Sequence, residues 1–201
     1  MPLFRDPGVP VVGPSVQRAH GRFAAALGRL GMGLTGWRFE GVVPDVAKMV
    51  LIVAPHTSNW DFPVGLQAKL ALRLGCAFVG KHTLFRWPLG VFMRWLGGVP
   101  VNRAAASGFV EDVVRQLRAA DRMTVVIAPE GTRKRVDSWK SGFYRIAVEA
   151  GVPILPVAFD YPRRRIVFAP LFEPTGDYDK DLPALRALYR PEMGLRPANY
   201  S

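Results

Sequence analysis

Short apolar runs alternate along the chain with segments in which apolar residues recur at helical spacing. The apolar runs predict seven strands, at residues 37–40, 48–54, 76–79, 99–101, 123–128, 154–159 and 166–169. The helical spacing predicts helices at residues 62–74, 88–96, 108–120 and 142–150. Alternating strands and helices favour a single α/β domain with a mixed, mostly parallel central sheet flanked by helices.

The second and fifth predicted strands are apolar at nearly every position. Strands of this kind are covered on both faces, so both are expected at the centre of the sheet. The domain itself is assigned to residues 37–173, after an amphipathic segment at residues 1–36. Residues 174–201 form a polar, proline-bearing tail that is expected to be loosely attached, with one short helix near residues 181–189.

The segment at residues 14–36 separates basic from apolar side chains when it is drawn as a helix. Its arginines share one narrow sector, and its apolar side chains cluster opposite them: Arg18, Arg22 and Arg29 against Phe23, Leu27, Leu30 and Leu34. A cationic face opposite an apolar face is typical of a helix at a membrane surface. A surface helix that packs Phe23 and Leu27 on its own core fits the pattern equally well.

A second segment, residues 82–98, is crowded with apolar and aromatic side chains and carries only two charges, Arg86 and Arg94. Tryptophan together with arginine suits the boundary between hydrocarbon and lipid head groups. The segment is therefore a candidate lining for an acyl chain or an entry point from a membrane. The alternative is a buried core helix, which is the commoner use of such side chains.

Charge and composition narrow the class of protein further. Among 201 residues, 27 are Lys or Arg and 16 are Asp or Glu, and the net charge of +11 favours anionic membranes, phosphates or acidic partners. One cysteine, Cys76, excludes an internal disulfide framework and a cysteine-rich zinc site. The longest apolar run, residues 49–55, is too short to cross a bilayer, and no secretory signal pattern is found. We therefore expect a peripheral protein at the cytoplasmic face of a membrane.

Candidate chemistry follows the second predicted strand. His56 leaves this strand and Asp61 opens the next helix, so a tight turn can bring the carboxylate to the imidazole. A carboxylate in that position fixes the imidazole tautomer and stabilises its protonated form, which makes the pair a candidate general base. No G-x-S-x-G motif is present, so the base would act directly on a substrate hydroxyl. The alternative is a capping Asp beside a structural His.

Two other strand ends carry polar groups. The turn after the fifth predicted strand holds a carboxylate, a glycine, a hydroxyl and a guanidinium: Glu130, Gly131, Thr132 and Arg133. The fourth predicted strand is followed by Arg103. Arg103 and Arg133 could direct fork-shaped donors at one phosphate, to which Lys81 could add a point charge.

Four ordered blocks in this chain, H-x-x-x-x-D, G-G-V-P-V-N-R, P-E-G-T-R and V-P-I-L-P-V-A, resemble those of the glycerolipid acyltransferase family, typified by the 1-acyl-glycerol-3-phosphate acyltransferases. The resemblance extends over residues 36–170. It implies a membrane-associated enzyme that moves a fatty acyl group from a thioester to a glycerol hydroxyl.

The resemblance also implies roles for individual residues. His56 and Asp61 match the catalytic pair, and Glu130 of the third block is grouped with them as catalytic. The remaining matches are implied to bind substrate, above all its phosphate: Lys81, Arg103, Gly131, Thr132, Arg133 and Lys140.

The expected partners follow from the same resemblance and from the charge. The acyl donor is expected to be acyl-CoA or an acyl carrier protein, and the surface an anionic membrane. The expected acceptor is a lysophospholipid, with lysophosphatidate first. The alternative within the same family is an acyltransferase that acts on another lysolipid or amphiphile. Neither a metal nor an organic cofactor is implied. The rival class is a nucleic-acid-binding module, or a lipid-binding module without catalysis. The nucleic-acid module would use residues 163–165, three consecutive arginines next to Phe159 and Tyr161, but no nucleic-acid-binding motif is found and no nucleic-acid partner is expected.

Overall fold

The computed structural model describes residues 6–101 and 108–201, with the backbone alone at residues 79–82, 84, 100 and 101. The strands are β1 (Arg38–Glu40), β2 (Lys48–Ala54), β3 (Cys76–Lys81), β4 (Gly98–Val101), β5 (Met123–Ile127), β6 (Ile154–Asp160) and β7 (Arg165–Phe168). The helices are α1 (Arg22–Thr35), α2 (Asp61–Leu72), α3 (Leu89–Trp95), α4 (Phe109–Ala119), α5 (Gly142–Ala150) and α6 (Tyr178–Arg186). Helix α1 occupies the second part of the amphipathic segment 14–36, and the bounds of the other elements lie within three residues of the predicted ones.

The strands form one sheet in the order β1-β7-β6-β2-β5-β3-β4. Neighbouring strands run parallel except β6 and β7, which pair antiparallel. The predicted mixed, mostly parallel α/β sheet is therefore confirmed. Its two most apolar strands, β2 and β5, lie side by side in the interior of the sheet, as their sequence pattern predicts.

Alternate residues of β2 point to opposite faces of the sheet and enter two separate hydrophobic clusters. Met49 and Leu51 join the cluster that contains residues of α1 and α2. Val50 and Ile52 join the cluster that contains residues of α4, α5 and α6. The domain is therefore a three-layer arrangement, with α1 and α2 on one face and α4 to α6 on the other.

The expectation of a loosely attached C-terminal tail is wrong. Leu185 of α6 is fully buried in the second cluster. The buried carboxylate of Asp181 accepts hydrogen bonds from the Tyr144 hydroxyl at 2.6 Å and from the main-chain N–H of Thr175 at 2.7 Å. Many residues of this segment are polar and exposed, which is why its sequence suggests loose attachment. A few buried apolar side chains and one well-paired carboxylate are sufficient to hold it in place.

Helix α1 buries Met32 but turns its other large apolar side chains outward. Phe23 is 78% exposed, and Leu27, Leu30 and Leu34 are also exposed. The helix meets α2 through its small residues instead, since a Cβ added at Gly28 would lie 2.5 Å from the main-chain nitrogen of Ala71. The interpretation that Phe23 and Leu27 pack on the core is therefore wrong.

Most of the aromatic segment is exposed as well, so its interpretation as a buried core helix is wrong for most of its side chains. Trp87 is 86% exposed, and the other large apolar side chains described as exposed in this segment are Leu89, Val91, Phe92 and Trp95. Phe85, Met93 and Leu96 are buried, and these side chains anchor α3 to the domain. The two segments adjoin, since the His20 ring lies 4.6 Å from the Trp95 ring. In the part of the chain that the structure describes, no helix is both long and apolar enough to span a bilayer.

Candidate active site

His56 and Asp61 meet at the carboxyl edge of the sheet. His56 lies two residues beyond β2, and Asp61 is the first residue of α2. His56 Nδ1 lies 2.9 Å from Asp61 Oδ2, and the His56 side chain is 19% exposed whereas Asp61 is 3% exposed. Since Nδ1–H donates to the carboxylate, Nε2 is the ring nitrogen left to accept a proton. The structure therefore brings together the pair that the sequence spacing predicts.

The Asp61 carboxylate has donors on both oxygens. Oδ2 also accepts the main-chain N–H of Ser58 at 3.0 Å, and Oδ1 accepts the Tyr161 hydroxyl at 2.6 Å. Buried carboxylates remain charged only when they are paired or hydrogen-bonded in this way. The site thus holds a buried, hydrogen-bonded carboxylate directly behind the partly exposed imidazole.

Glu130 lies beside the same pair, but it contacts the main chain and not the imidazole. It follows β5, the neighbour of β2, and its Oε1 accepts the main-chain N–H of His56 at 2.9 Å. Glu130 is 2% exposed and its Oε2 has no hydrogen-bond partner among the described protein atoms. Burial raises the pKa of Glu130 to about 7, against the smaller opposing effects of the His56 main-chain hydrogen bond and the His56 charge. The carboxyl group therefore holds the loop that carries His56.

The raised pKa of Glu130 predicts a specific pH dependence of stability. Between its ordinary pKa of 4.5 and the folded value of about 7, the folded chain binds more protons than the unfolded chain, so this contribution to stability is lost as pH rises. Glu130→Gln removes the titration. We expect the free energy of unfolding of the variant, relative to the wild type, to increase by about 2–3 kcal/mol from pH 5 to pH 8. Urea unfolding of both proteins at the two pH values measures it, and a difference that is constant with pH contradicts the assignment.

Residues of the third block surround Glu130. Gly131 adopts a positive φ of 64°, and a Cβ there would lie 3.1 Å from Cε of Lys140, so the lysine stem lies against this turn. Thr132 accepts the main-chain N–H of Lys134 at 3.3 Å through its hydroxyl. Arg133 is exposed on the same turn. Gly131, Thr132, Arg133 and Lys140 therefore share one loop region next to His56.

The other two predicted phosphate-binding residues are less completely described. Lys81 is the last residue of β3, which runs parallel to β5, so its backbone lies at the same carboxyl edge as His56 and Glu130. Arg103 lies outside the described residues. Among the residues that are described, no three His, Cys, Asp or Glu side chains come close enough together to hold a metal ion.

Sequence reasoning missed three contributors to the site. Tyr161 follows β6 at the same edge, and the position of that strand could have indicated it. The C-terminal segment contributes Asn199, whose Nδ2 donates to the carbonyl of Thr57 at 3.2 Å, and Ser201, whose Oγ accepts the main-chain N–H of Val136 at 2.9 Å. The last residues of the chain thus hold both the His56 loop and the Glu130 loop, and no local sequence signal predicts this.

The arginine run at residues 163–165 is engaged within the chain. Arg163 and Arg165 lie 2.7 and 3.7 Å from the carboxylate of Glu40, and Arg164 donates to the main-chain carbonyl of Thr35 at 2.8 Å. Guanidinium groups held in this way fasten β7 to β1 and to the end of α1. Each of the three arginines therefore has a partner within the chain.

Known proteins match the chain in the region that carries these residues. The sequence model of the Acyltransferase family matches residues 39–160. The 1-acyl-sn-glycerol-3-phosphate acyltransferase of Escherichia coli is 30% identical over 154 residues, which cover 72% of this chain and 61% of that protein. The 1-acyl-sn-glycerol-3-phosphate acyltransferase beta of Homo sapiens is 34% identical over 134 residues, 62% of this chain and 47% of that protein. The chain spans about three-fifths or less of the length of these two relatives.

A solved structure has the same fold. The 1-acyl-sn-glycerophosphate (LPA) acyltransferase PlsC from Thermotoga maritima superposes with a TM-score of 0.61 over 83% of this chain and 75% of that chain, at 22% sequence identity. The family match contains His56, Asp61 and Glu130 as well as the full third block. Because the family match extends over more than half of its residues, this chain belongs to the acyltransferase family.

Proposed function

We propose that the chain transfers a fatty acyl group from a thioester donor, acyl-CoA or acyl carrier protein, to the hydroxyl of a lysophospholipid, with 1-acyl-glycerol-3-phosphate as the first acceptor. The observation that carries this proposal is the 2.9 Å contact between His56 Nδ1 and Asp61 Oδ2 at the carboxyl edge of the sheet. The names of the Escherichia coli and human relatives support the choice of acceptor.

In the proposed mechanism, His56 acts as the general base. Nε2 takes the proton of the acceptor hydroxyl as its oxygen attacks the thioester carbonyl carbon, and Asp61 stabilises the resulting imidazolium. The tetrahedral intermediate then collapses, the carbon–sulfur bond breaks, and the thiolate takes the proton back from the imidazolium. A thiol has a pKa of about 8.5, so the thiolate is a good leaving group and no further acid is needed. No metal or organic cofactor enters these steps.

We assign the acceptor phosphate to the basic residues around the third block. Arg133 is exposed on the Glu130 turn, and the Lys140 stem lies against Gly131 of the same turn. Fork-shaped guanidinium donors and a lysine point charge are suited to a phosphate monoester. The backbone of Lys81 lies at the same edge, and Arg103 is assigned to this role from its position in the second block alone.

An assay of the purified protein tests the proposed function directly. The protein is offered a panel of lysolipid acceptors, lysophosphatidate included, with acyl-CoA and acyl carrier protein donors in parallel, and the products are separated by mass. We expect acyl transfer to lysophosphatidate, with neutral and zwitterionic acceptors used less well. Absence of product with every pair, from folded protein, would overturn the proposal.

We also propose that the chain binds peripherally to an anionic membrane, on its cytoplasmic face, through one outward apolar surface. This surface consists of exposed side chains on α1 and on or beside α3: Phe23, Leu27, Leu30, Leu34, Trp87, Leu89, Val91, Phe92 and Trp95. The contact between His20 and Trp95 supports its continuity, and exposed tryptophans next to arginines suit a lipid interface. The net charge of +11 adds attraction to anionic lipids.

The double substitution Phe23→Glu/Leu34→Glu is expected to weaken vesicle binding by at least about tenfold. Both side chains are exposed on the same face of α1, so two apolar contacts are lost and two negative charges face an anionic surface. Cosedimentation with vesicles of mixed anionic and zwitterionic phospholipids measures the affinity. Val148→Glu/Leu188→Glu is the matched control, because both residues are exposed and apolar, Val148 belongs to α5, and Leu188 lies two residues after α6, on the opposite side of the sheet. Equal losses in the two variants would contradict the assigned surface.

A further inference from the structure

The Tyr161 side chain completes a chain of hydrogen bonds behind His56. Tyr161 is the residue after β6, and its hydroxyl donates to Asp61 Oδ1 at 2.6 Å across 100 residues of sequence. Its ring packs edge-on against Trp37, with 5.0 Å between ring centroids, and its main-chain N–H donates to the carbonyl of Met193 at 2.9 Å. The phenol is thus held at its ring and at its backbone, and its one polar atom contacts the Asp61 carboxylate.

The two oxygens of Asp61 have separate tasks in this geometry. Oδ2 faces His56 Nδ1 and the Ser58 main chain, and Oδ1 faces Tyr161. Burial, together with the hydrogen bond to Asp61 and its charge, raises the pKa of Tyr161, so the phenol keeps its proton and acts as a donor. A carboxylate with a fixed donor on Oδ1 cannot rotate to offer that oxygen to the imidazole.

We propose that Tyr161 is a positioning residue for acyl transfer, which fixes the orientation of the Asp61 carboxylate and, through it, the orientation of the His56 imidazole. This inference rests on the proposed function, since it assigns Tyr161 a task in the same reaction. Tyr161 lies just beyond the residues that the family model matches, which end at 160.

Removal of the Tyr161 hydroxyl is expected to move the titration midpoint of His56 in one direction. A hydrogen-bond donor on Oδ1 draws negative charge away from the side of the carboxylate that faces His56, so its loss strengthens the attraction between Asp61 and the imidazolium. The substitution Tyr161→Phe leaves the other ionisable side chains around His56 in place. These are Asp61 on α2, Glu130 after β5, and Tyr189 and Tyr200, whose pKa values are raised in part by the charge of Glu130. The titration midpoint of His56 is therefore expected to move upward.

The test compares wild type with Tyr161→Phe in two measurements. NMR follows the imidazole resonance of His56, identified by its disappearance in His56→Ala, as a function of pH without substrate. We expect the midpoint to rise by about half a pH unit in the variant. In the acyl-transfer assay we expect kcat to fall about tenfold with KM unchanged, and the acidic limb of the pH profile to move with the NMR midpoint.

Tyr178→Phe is the matched control, because it removes a hydroxyl that donates to the carbonyl of Trp139 at 3.0 Å on the other side of the sheet. It should move neither the His56 midpoint nor kcat. An unchanged His56 midpoint in Tyr161→Phe, with activity lowered equally at every pH, would mean that Tyr161 serves packing only and would overturn the inference. If the wild type transfers no acyl group, the proposed function fails, while the midpoint still decides whether Tyr161 acts on His56 through Asp61.

A measurement on the wild type keeps the inference testable if Tyr161→Phe does not fold. In protein labelled with ¹³C at the phenol carbon of tyrosine, the Tyr161 resonance should titrate with the same midpoint as His56, because the two rings share one carboxylate. A Tyr161 resonance that stays constant while His56 titrates would overturn the inference.

Discussion

Replacing His56 by alanine is expected to reduce kcat for acyl transfer about a thousandfold or more. His56 is the one side chain in the described site that combines partial exposure with a buried carboxylate partner, and Nε2 is its free proton acceptor. General base catalysis contributes about 10² to 10⁴ in rate, and the variant also loses the imidazolium that balances the developing charge. Initial rates with saturating donor and lysophosphatidate measure kcat, and circular dichroism with thermal melting checks that the variant folds.

His20→Asn is the matched control for this substitution. The main-chain carbonyl of His20 accepts a hydrogen bond from Arg73, which follows α2, so His20 lies at the opposite edge of the sheet from His56. Asparagine tolerates the positive φ of 63° at this position better than alanine does. With substrates presented in detergent micelles, the control should keep kcat within about twofold of wild type. A rate for His56→Ala within tenfold of wild type would overturn the assignment of His56 as the base.

The sheet could be predicted from the sequence because a strand that is buried on both faces is apolar at nearly every position. Strand β2 is apolar on both faces, and it lies between β5 and β6 with each face against a different hydrophobic cluster. The orientation of α1 could not be predicted, since a helical wheel shows an apolar face but not what covers it. Gly28 decides the matter, because the close approach at Ala71 turns the small-residue face toward α2 and leaves Phe23 outside.

The candidate site likewise contains some residues whose proximity the sequence predicts and others whose proximity it does not. His56 and Asp61 are five residues apart, and Glu130 follows a neighbouring parallel strand, so strand order and motif spacing are sufficient to bring them together. Asn199 and Ser201 reach the site across 142 and 65 residues of sequence, from a segment with no periodicity of its own. Contacts of that kind depend on how the whole chain packs, and no local sequence pattern predicts them.

Asp61→Asn is expected to lower kcat by about 10² to 10⁴ while the fold is retained. Asparagine has the shape of aspartate but a single acceptor oxygen, whereas the wild-type carboxylate serves His56 and Ser58 with Oδ2 and Tyr161 with Oδ1. If the amide nitrogen faces His56, it forces the proton onto Nε2 and removes the base. If the oxygen faces His56, the tautomer survives but the imidazolium has lost its counter-charge. Steady-state kinetics at saturating substrate measure the loss in kcat.

Asp181→Asn separates this loss from the general cost of altering a buried carboxylate. Asp181 also accepts a tyrosine hydroxyl at 2.6 Å, from Tyr144, but it lies in α6 among residues of the other cluster. The two variants therefore remove the same charge from similar surroundings, and both should lower the melting temperature. Only Asp61→Asn should lower kcat, because only Asp61 contacts the imidazole that accepts the proton. Equal losses of kcat would mean that destabilisation, and not charge behind His56, limits the rate.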